Sequence, residues 1–349
     1  MKKNKYILII TVLLAITAAF LQYRNNSGTI REELHDFAVQ DTGSVSKIFL
    51  ADKNNHSVTL ERTALGWTVD GKYKARPDAI KTLLITIKSL AVKTRVAKAA
   101  FNVVVKDIAA DGIKCEIYHH GESKPAKVYY VGGSTADVMG TFMLIENSSL
   151  PFIIEIPGFQ GYLTPRYSPL EQDWRDIAVF DYNPEEIKSI SIQYYHQPEK
   201  SFSIERTGNG FRVSSPQANV IIQHPDTIGL NNYLTFFKYL CFETWDAEFT
   251  DQQRDSLKST EPINTIRITD TKGVTNSITT FPKPITLRSL MQSDSLGKPL
   301  KYDTDRMYAF MNDGKDFVVI QYYVFGKIFR QLNDFDSDKK GNGLKMKEK

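Results

Sequence analysis

Two cysteines in 349 residues are too few for a disulfide framework or a four-thiolate zinc centre. Histidine is also scarce, with six in all. The one adjacent pair, His119-His120, would point to opposite faces of a strand and so could not share a metal. Neither sign of charge dominates, because 44 Lys and Arg stand against 40 Asp and Glu. The small basic excess sits at the ends, in Lys2, Lys3 and Lys5 and in the five lysines between 339 and 349. The body between them is slightly acidic and carries no basic stripe, which argues against nucleic acid as a partner.

Motifs of catalysis are missing too. The chain has no Gly-x-Ser-x-Gly elbow, no His-Glu-x-x-His pair and no phosphate-binding glycine loop. The VGGS at 131–134 follows a strand pattern without a phosphate-binding lysine and reads as a hairpin turn. The acidic DFDSD at 334–338 has Lys339 where a calcium loop needs glycine and Lys345 where it needs glutamate. No cofactor, metal or catalytic residue is expected, and the chain reads as a non-enzyme.

What the sequence does have begins with an uncharged run, YILIITVLLAITAAFL at 6–21. As a helix it would span about 24 Å, near the lower limit for a ~30 Å hydrocarbon core. The expectation is a transmembrane anchor over 1–23, with 6–22 in the bilayer, followed by a polar stalk over 24–35. The lysines before the run favour a cytoplasmic N-terminus. That makes a single-pass protein of the inner membrane with its bulk in the periplasm. A signal peptide cut near Thr17-Ala18-Ala19 is the other reading. No cysteine follows the run, so lipid attachment there is excluded.

The body repeats itself. DFAVQD at 36–41 recurs as DIAVFD at 176–181, and SVTLERT at 57–63 as SFSIERT at 201–207. GWTV at 66–69 is echoed by GFRV at 210–213, and PDAI at 77–80 by PDTI at 225–228. Weaker echoes link 141–147 with 307–313 and 152–154 with 317–319. So long a period is not a solenoid repeat. Two tandem copies of one domain are expected, at 36–172 and 173–335, with a disordered basic tail at 336–349. Each copy opens on alternating strands that form a hairpin. Pro77 and Asp78 then open a helix whose Ile80, Leu83, Leu84, Ile87 and Leu90 keep helical spacing. One main helix among strands predicts an α+β fold, an N-terminal transmembrane helix followed by two mainly antiparallel sheet-plus-helix domains.

Two features are candidate sites. The repeated Glu61-Arg62 and Glu205-Arg206 read as exposed strand-end pairs making cross-strand contacts. PGFQGYLTPRY at 157–167 gathers Phe159, Tyr162, Arg166 and Tyr167 between the copies. These four are candidates for an interdomain pin or a partner-facing patch, since aromatic and Arg residues anchor interfaces.

Together, DFAV at 36–39, the strand at 47–52, RPD at 76–78, YVGG at 130–133 and the 157–167 segment resemble the bacterial domain of unknown function family 4340, over about residues 30–330. The resemblance implies a membrane-tethered envelope protein working beside an ABC-type transport or gliding-related complex, with transport subunits as partners. It implies no catalytic residues. The expected function is thus a binding or scaffold protein. The alternatives are a small-molecule or glycan receptor using the space between the copies, or an envelope enzyme of unrecognised type.

Overall fold

Apolar residues alternate with polar ones along β1 (Val45–Ala51) and β2 (Ser57–Thr63), so each strand buries one face: Val45, Ile48 and Leu50 in the first, Val58 and Leu60 in the second. The two pair antiparallel with Ile48 opposite Leu60. Asn55, at φ 65°, sits in the left-handed region that the turn between them requires. The computed structural model describes residues 16–17 and 35–339, except 209, 216, 218, 247–248, 286–291 and 294–295.

The chain divides into two units, Met1–Asp176 and Ile177–Lys349. The first continues through β3 (Gly66–Val69), β4 (Tyr73–Lys74), α1 (Pro77–Ser89), β5 (Ala91–Arg95), α2 (Lys98–Asp111), β6 (Ile113–His119), β7 (Lys127–Ser134), β8 (Thr141–Ile145) and β9 (Phe152–Glu155). Its nine strands form one antiparallel sheet in the order β4-β3-β2-β1-β6-β7-β8-β9-β5. α1 packs Ile80, Leu83 and Ile87 into the core with Leu60, Val69, Cys115, Ile117, Tyr129, Val131 and Ile154. α2 lies against β7 and β8. There a Cβ on Gly132 would stand 2.7 Å from Ile108 Cγ1. Successive strand residues face opposite ways, so Gly132 opens the face away from Val131 for α2.

The second unit runs through β10 (Ala178–Phe180), β11 (Ile187–Tyr194), β12 (Phe202–Thr207), β13 (Gly210–Ser215), β14 (Val220–Ile221), α3 (Thr227–Thr235), β15 (Leu240–Cys241), β16 (Thr244–Trp245), α4 (Asp251–Lys258), β17 (Asn264–Asp270), β18 (Thr275–Pro284), β19 (Tyr302–Met311), β20 (Asp316–Gln321) and α5 (Tyr322–Phe325). Its large sheet runs β14-β13-β12-β11-β17-β18-β19-β20-β16, and β10 pairs separately with β15. Element for element this is the order of the first sheet, and every sequence echo that lies within a strand falls on equivalent strands. The α3 side carries the main core, including Ile190, Ile204, Val213, Leu230, Tyr233 and Phe237. The other face carries an aromatic cluster of Phe281, Tyr308, Phe310 and Phe317, against which Phe249 and Leu257 pack.

Each unit is closed in the same way. Ala75 bridges Arg175, and Arg76 N–H donates to Trp174 O at 2.8 Å. Pro225 bridges Asp336, and Asp226 N–H donates to Phe335 O at 2.9 Å. The start of the helix in each copy is thus tied to the end of its unit. Residues 336–339 belong to this closure, not to a disordered tail; residues 340–349 lie outside the described residues.

The expected fold class needs correction. The described residues form three antiparallel sheets, and none of their helices is long and apolar enough to cross a membrane. The longest, α2, has 14 residues and carries Lys98, Lys106, Asp107 and Asp111, charges that a membrane-spanning helix excludes. Apart from Ile16 and Thr17, the 6–22 run and the 24–34 stalk fall outside the described residues. Among the described residues nothing supports the single-pass, inner-membrane and periplasmic placement. α2 is a second helix that the pattern did not show, since only Val104 and Ile108 of it are buried. The VGGS turn is corrected as well. Gly132 and Gly133 lie within β7 and the chain reverses after them, with Thr135 N–H donating to Gly140 O at 2.9 Å.

Candidate functional site

A concavity in the first unit lies beside α1, and its far wall is the β2–β3 turn. Gly66, at φ 121°, takes a conformation that L side chains rarely adopt. Thr63 Oγ1 accepts from Leu65 N–H at 3.2 Å and donates to Gly66 O at 2.9 Å. This tight turn throws Leu65 into solvent at 99% exposure. Trp67 follows, half-buried, and Arg62 stacks on its ring with its guanidinium carbon 4.9 Å from the centroid. Arg62 is held in turn, because Nε donates to Val45 O at 2.8 Å and Nη2 to Thr42 O at 2.9 Å.

The near wall is the flank of α1 next to its core stripe. Ile80 forms the buried floor, Leu84 is half-buried, and Ile85 is 50% exposed. With Thr42, Leu65, Gly66, Trp67, Ala75 and Pro77 they enclose about 480 Å³, a volume in the range of ligand sites. Three lysines rim the space, Lys74, Lys81 and Lys88. Lys74 is paired with Asp176 at 2.8 Å. Lys81 and Lys88 make no ion pair among the described residues, and no described carboxylate lines the groove. It therefore offers an apolar surface under uncompensated positive charge.

The second unit repeats these features only in part. Aligning the two closure bridges places Asn231 and Thr235 where α1 has Lys81 and Ile85, and Lys238, paired with Asp181 at 3.1 Å, where it has Lys88. A concavity of about 490 Å³ does adjoin α3, but it is lined by Asn232, Arg330, Asn333, Asp334 and Lys339 among others, and so has charges of both signs.

The four residues expected as a site lie elsewhere. Tyr167 is fully buried, and its hydroxyl lies 3.1 Å from that of Tyr129. Both phenols are driven to higher pKa by burial, and the buried Cys115 thiol beside Tyr129 is pushed up to about 12 for the same reason. Arg166 Nη1 donates to Thr86 Oγ1 of α1 at 2.9 Å, and its guanidinium carbon lies 4.3 Å from the centre of the Phe159 ring. Phe159 packs on the core of the first unit. Tyr162 alone is exposed, at 39%. The 157–167 segment thus joins Phe159, Arg166 and Tyr167 to α1 and β7, and none of the four lines the groove.

Arg62 and Arg206 do more than make exposed strand-end contacts. Arg206 donates from Nε to Ile187 O at 3.2 Å and from Nη2 to Pro184 O at 2.7 Å, over the ring of Phe211. This repeats the geometry of Arg62. Neither Cys115 nor Cys241 is in a disulfide. His119 Nδ1 lies 2.6 Å from Ser44 Oγ, a contact that ties the end of β6 to the segment before β1.

Leu65, Lys81, Ile85 and Lys88 were missed by sequence reasoning. Their signal was weak: an apolar residue inside a Thr-Ala-Leu-Gly turn, and an isoleucine one position off the core stripe. No family model matches the chain, nor does any curated protein or solved structure. The functional reading therefore rests on this chain's own geometry.

Proposed function

We propose that the protein is a non-catalytic binding module whose recognition surface is the α1 groove of the first unit, with the second unit as its structural companion. The observation that carries this reading is the pairing of two exposed apolar side chains, Leu65 and Ile85, with the unpaired Lys81 and Lys88 around one concavity. Single exposed apolar residues are ordinary, but clustering around a concave apolar floor marks a contact surface. Covering Leu65 and Ile85 would contribute up to roughly 1.5–3 kcal/mol for each side chain removed from water.

A photo-crosslinking amino acid in place of Leu65, in the full chain expressed in its own cells, tests the reading. A control places the same group at Ile228, which is 85% exposed in the second unit. A discrete adduct at 65, absent at 228 and lost when Ile85→Ser is added, is the expected result. Adducts at 65 that are no stronger than at 228 would remove the groove as the site.

A further inference from the structure

Resting on the groove as the binding surface, we infer that its occupant is an acidic amphipathic helix of a partner protein, with carboxylates seven residues apart flanking apolar positions. Charge complementarity is the first argument. Among the described residues, the charged ones lining the groove are Lys74, Lys81 and Lys88. Lys74 is already neutralised by Asp176, which leaves Lys81 and Lys88 to select a negative partner.

Geometry is the second argument. Lys81 and Lys88 are two helical turns apart on α1, so their Cα atoms are separated by about 10.5 Å along its axis. Leu84 and Ile85 lie between them on the same flank. A helix laid along α1 meets this pattern with a carboxylate at i, apolar residues at i+3 and i+4, and a carboxylate at i+7, which is the spacing helices present to grooves. From Pro77 to Lys88 the flank is about 16 Å long, room for three turns of a partner. Leu65, projecting from the opposite wall, would pack on the apolar stripe from the far side.

The third argument is the internal comparison. The second unit has the same strand order, yet carries Asn231 and Thr235 in place of Lys81 and Ile85, and its counterpart of Lys88, Lys238, is paired with Asp181. One fold thus presents two surfaces, and only the first has both the charge and the apolar lip.

Selection from a displayed library of 16-residue helical peptides on the full chain tests the inference. The library carries Glu, Lys or Gln at the two flanking positions and varied apolar residues between them. Peptides with Glu at both positions should be enriched at least tenfold over those with Lys. The Lys81→Glu/Lys88→Glu chain should reverse the preference, while Lys81→Gln/Lys88→Gln should abolish it. Far-UV circular dichroism of both variants should match the parent, since both lysines are exposed. Enrichment indifferent to the flanking charge, failure to reverse in the Glu variant, or displacement of peptides by dodecanoate at equal concentration would overturn the helix. A Leu65 crosslink that persists in the Glu variant would overturn the helix and leave the groove standing, whereas loss of the crosslink from the parent chain removes both.

Discussion

Arg62 and Arg206 hold equivalent places in the two units, each gripping two carbonyl oxygens near the start of the first long strand and stacking on the aromatic residue of a Gly-aromatic turn. In the first unit this grip orients Trp67, a wall of the groove. Arg62→Ala should lower stability by about 1–3 kcal/mol, because two charge-assisted hydrogen bonds and a stacked face are lost together. Arg62→Lys should recover little, since an ammonium cannot reproduce the planar fork. Urea unfolding followed by Trp fluorescence measures both, and a Lys variant as stable as the parent would refute the bidentate role.

Removing the Tyr129 hydroxyl takes away the hydrogen-bond partner of the buried Tyr167 hydroxyl, whereas Tyr129 has the Cys115 thiol as a second partner. Tyr129→Phe should cost about 1–3 kcal/mol, the penalty for an unsatisfied buried polar group. The double Tyr129→Phe/Tyr167→Phe change should cost less than the two single changes combined. A double-mutant cycle by chemical denaturation reads the coupling, and strict additivity would show that the two phenols do not interact.

Alkali should weaken the first unit through Cys115. Its thiol is raised from an ordinary 9.0 to about 12 by burial, so the folded state holds a proton that the unfolded state releases. That contribution to stability is complete below about pH 9 and falls as pH rises toward 12. Stability measured between pH 8 and 11 should decline less in Cys115→Ala than in the parent. At pH 8 a thiol reagent should leave Cys115 untouched in the folded chain and modify it on unfolding. Rapid native-state labelling of Cys115 would contradict its burial.

Gly132→Ala should unseat α2. The new Cβ would stand 2.7 Å from Ile108 Cγ1 and 3.0 Å from the Phe142 carbonyl, and overpacking of this kind costs about 1–3 kcal/mol. Combining it with Ile108→Ala should cost less than the two single changes added together, because the nearer contact is then cleared. Hydrogen exchange of the α2 amides, accelerated by each single change and less than additively in the double variant, checks the mechanism.

The duplication was legible because paired segments such as SVTLERT and SFSIERT keep both their strand alternation and their Arg in register. The α1 core stripe was legible for the same kind of reason: Ile80, Leu83 and Ile87 follow one period. The partners of Arg62 were not, since backbone carbonyls have no letter in the sequence. α2 escaped notice because the run of valines at 103–105 imitates a strand and only two of its residues are buried. Tyr167 looked like an interface residue because nothing in the 157–167 segment reveals Tyr129, 38 positions earlier. The groove was the hardest part to foresee. Leu65 and Ile85 stand out among the exposed apolar residues only once the fold sets them around one concavity.

The bridges Ala75–Arg175 and Pro225–Asp336 also govern the order of events on the ribosome. The start of each helix waits for a partner about a hundred residues downstream, and such distant contacts slow folding. The first unit cannot be sealed until residue 175 has left the exit tunnel, nor the second until residue 336 has. Because both residues of each bridge belong to the same half, the earlier half can finish before the later one is complete. A chain made from its N-terminus can thereby complete one sheet before the strands of the other emerge, an order that limits mispairing between two closely similar sheets.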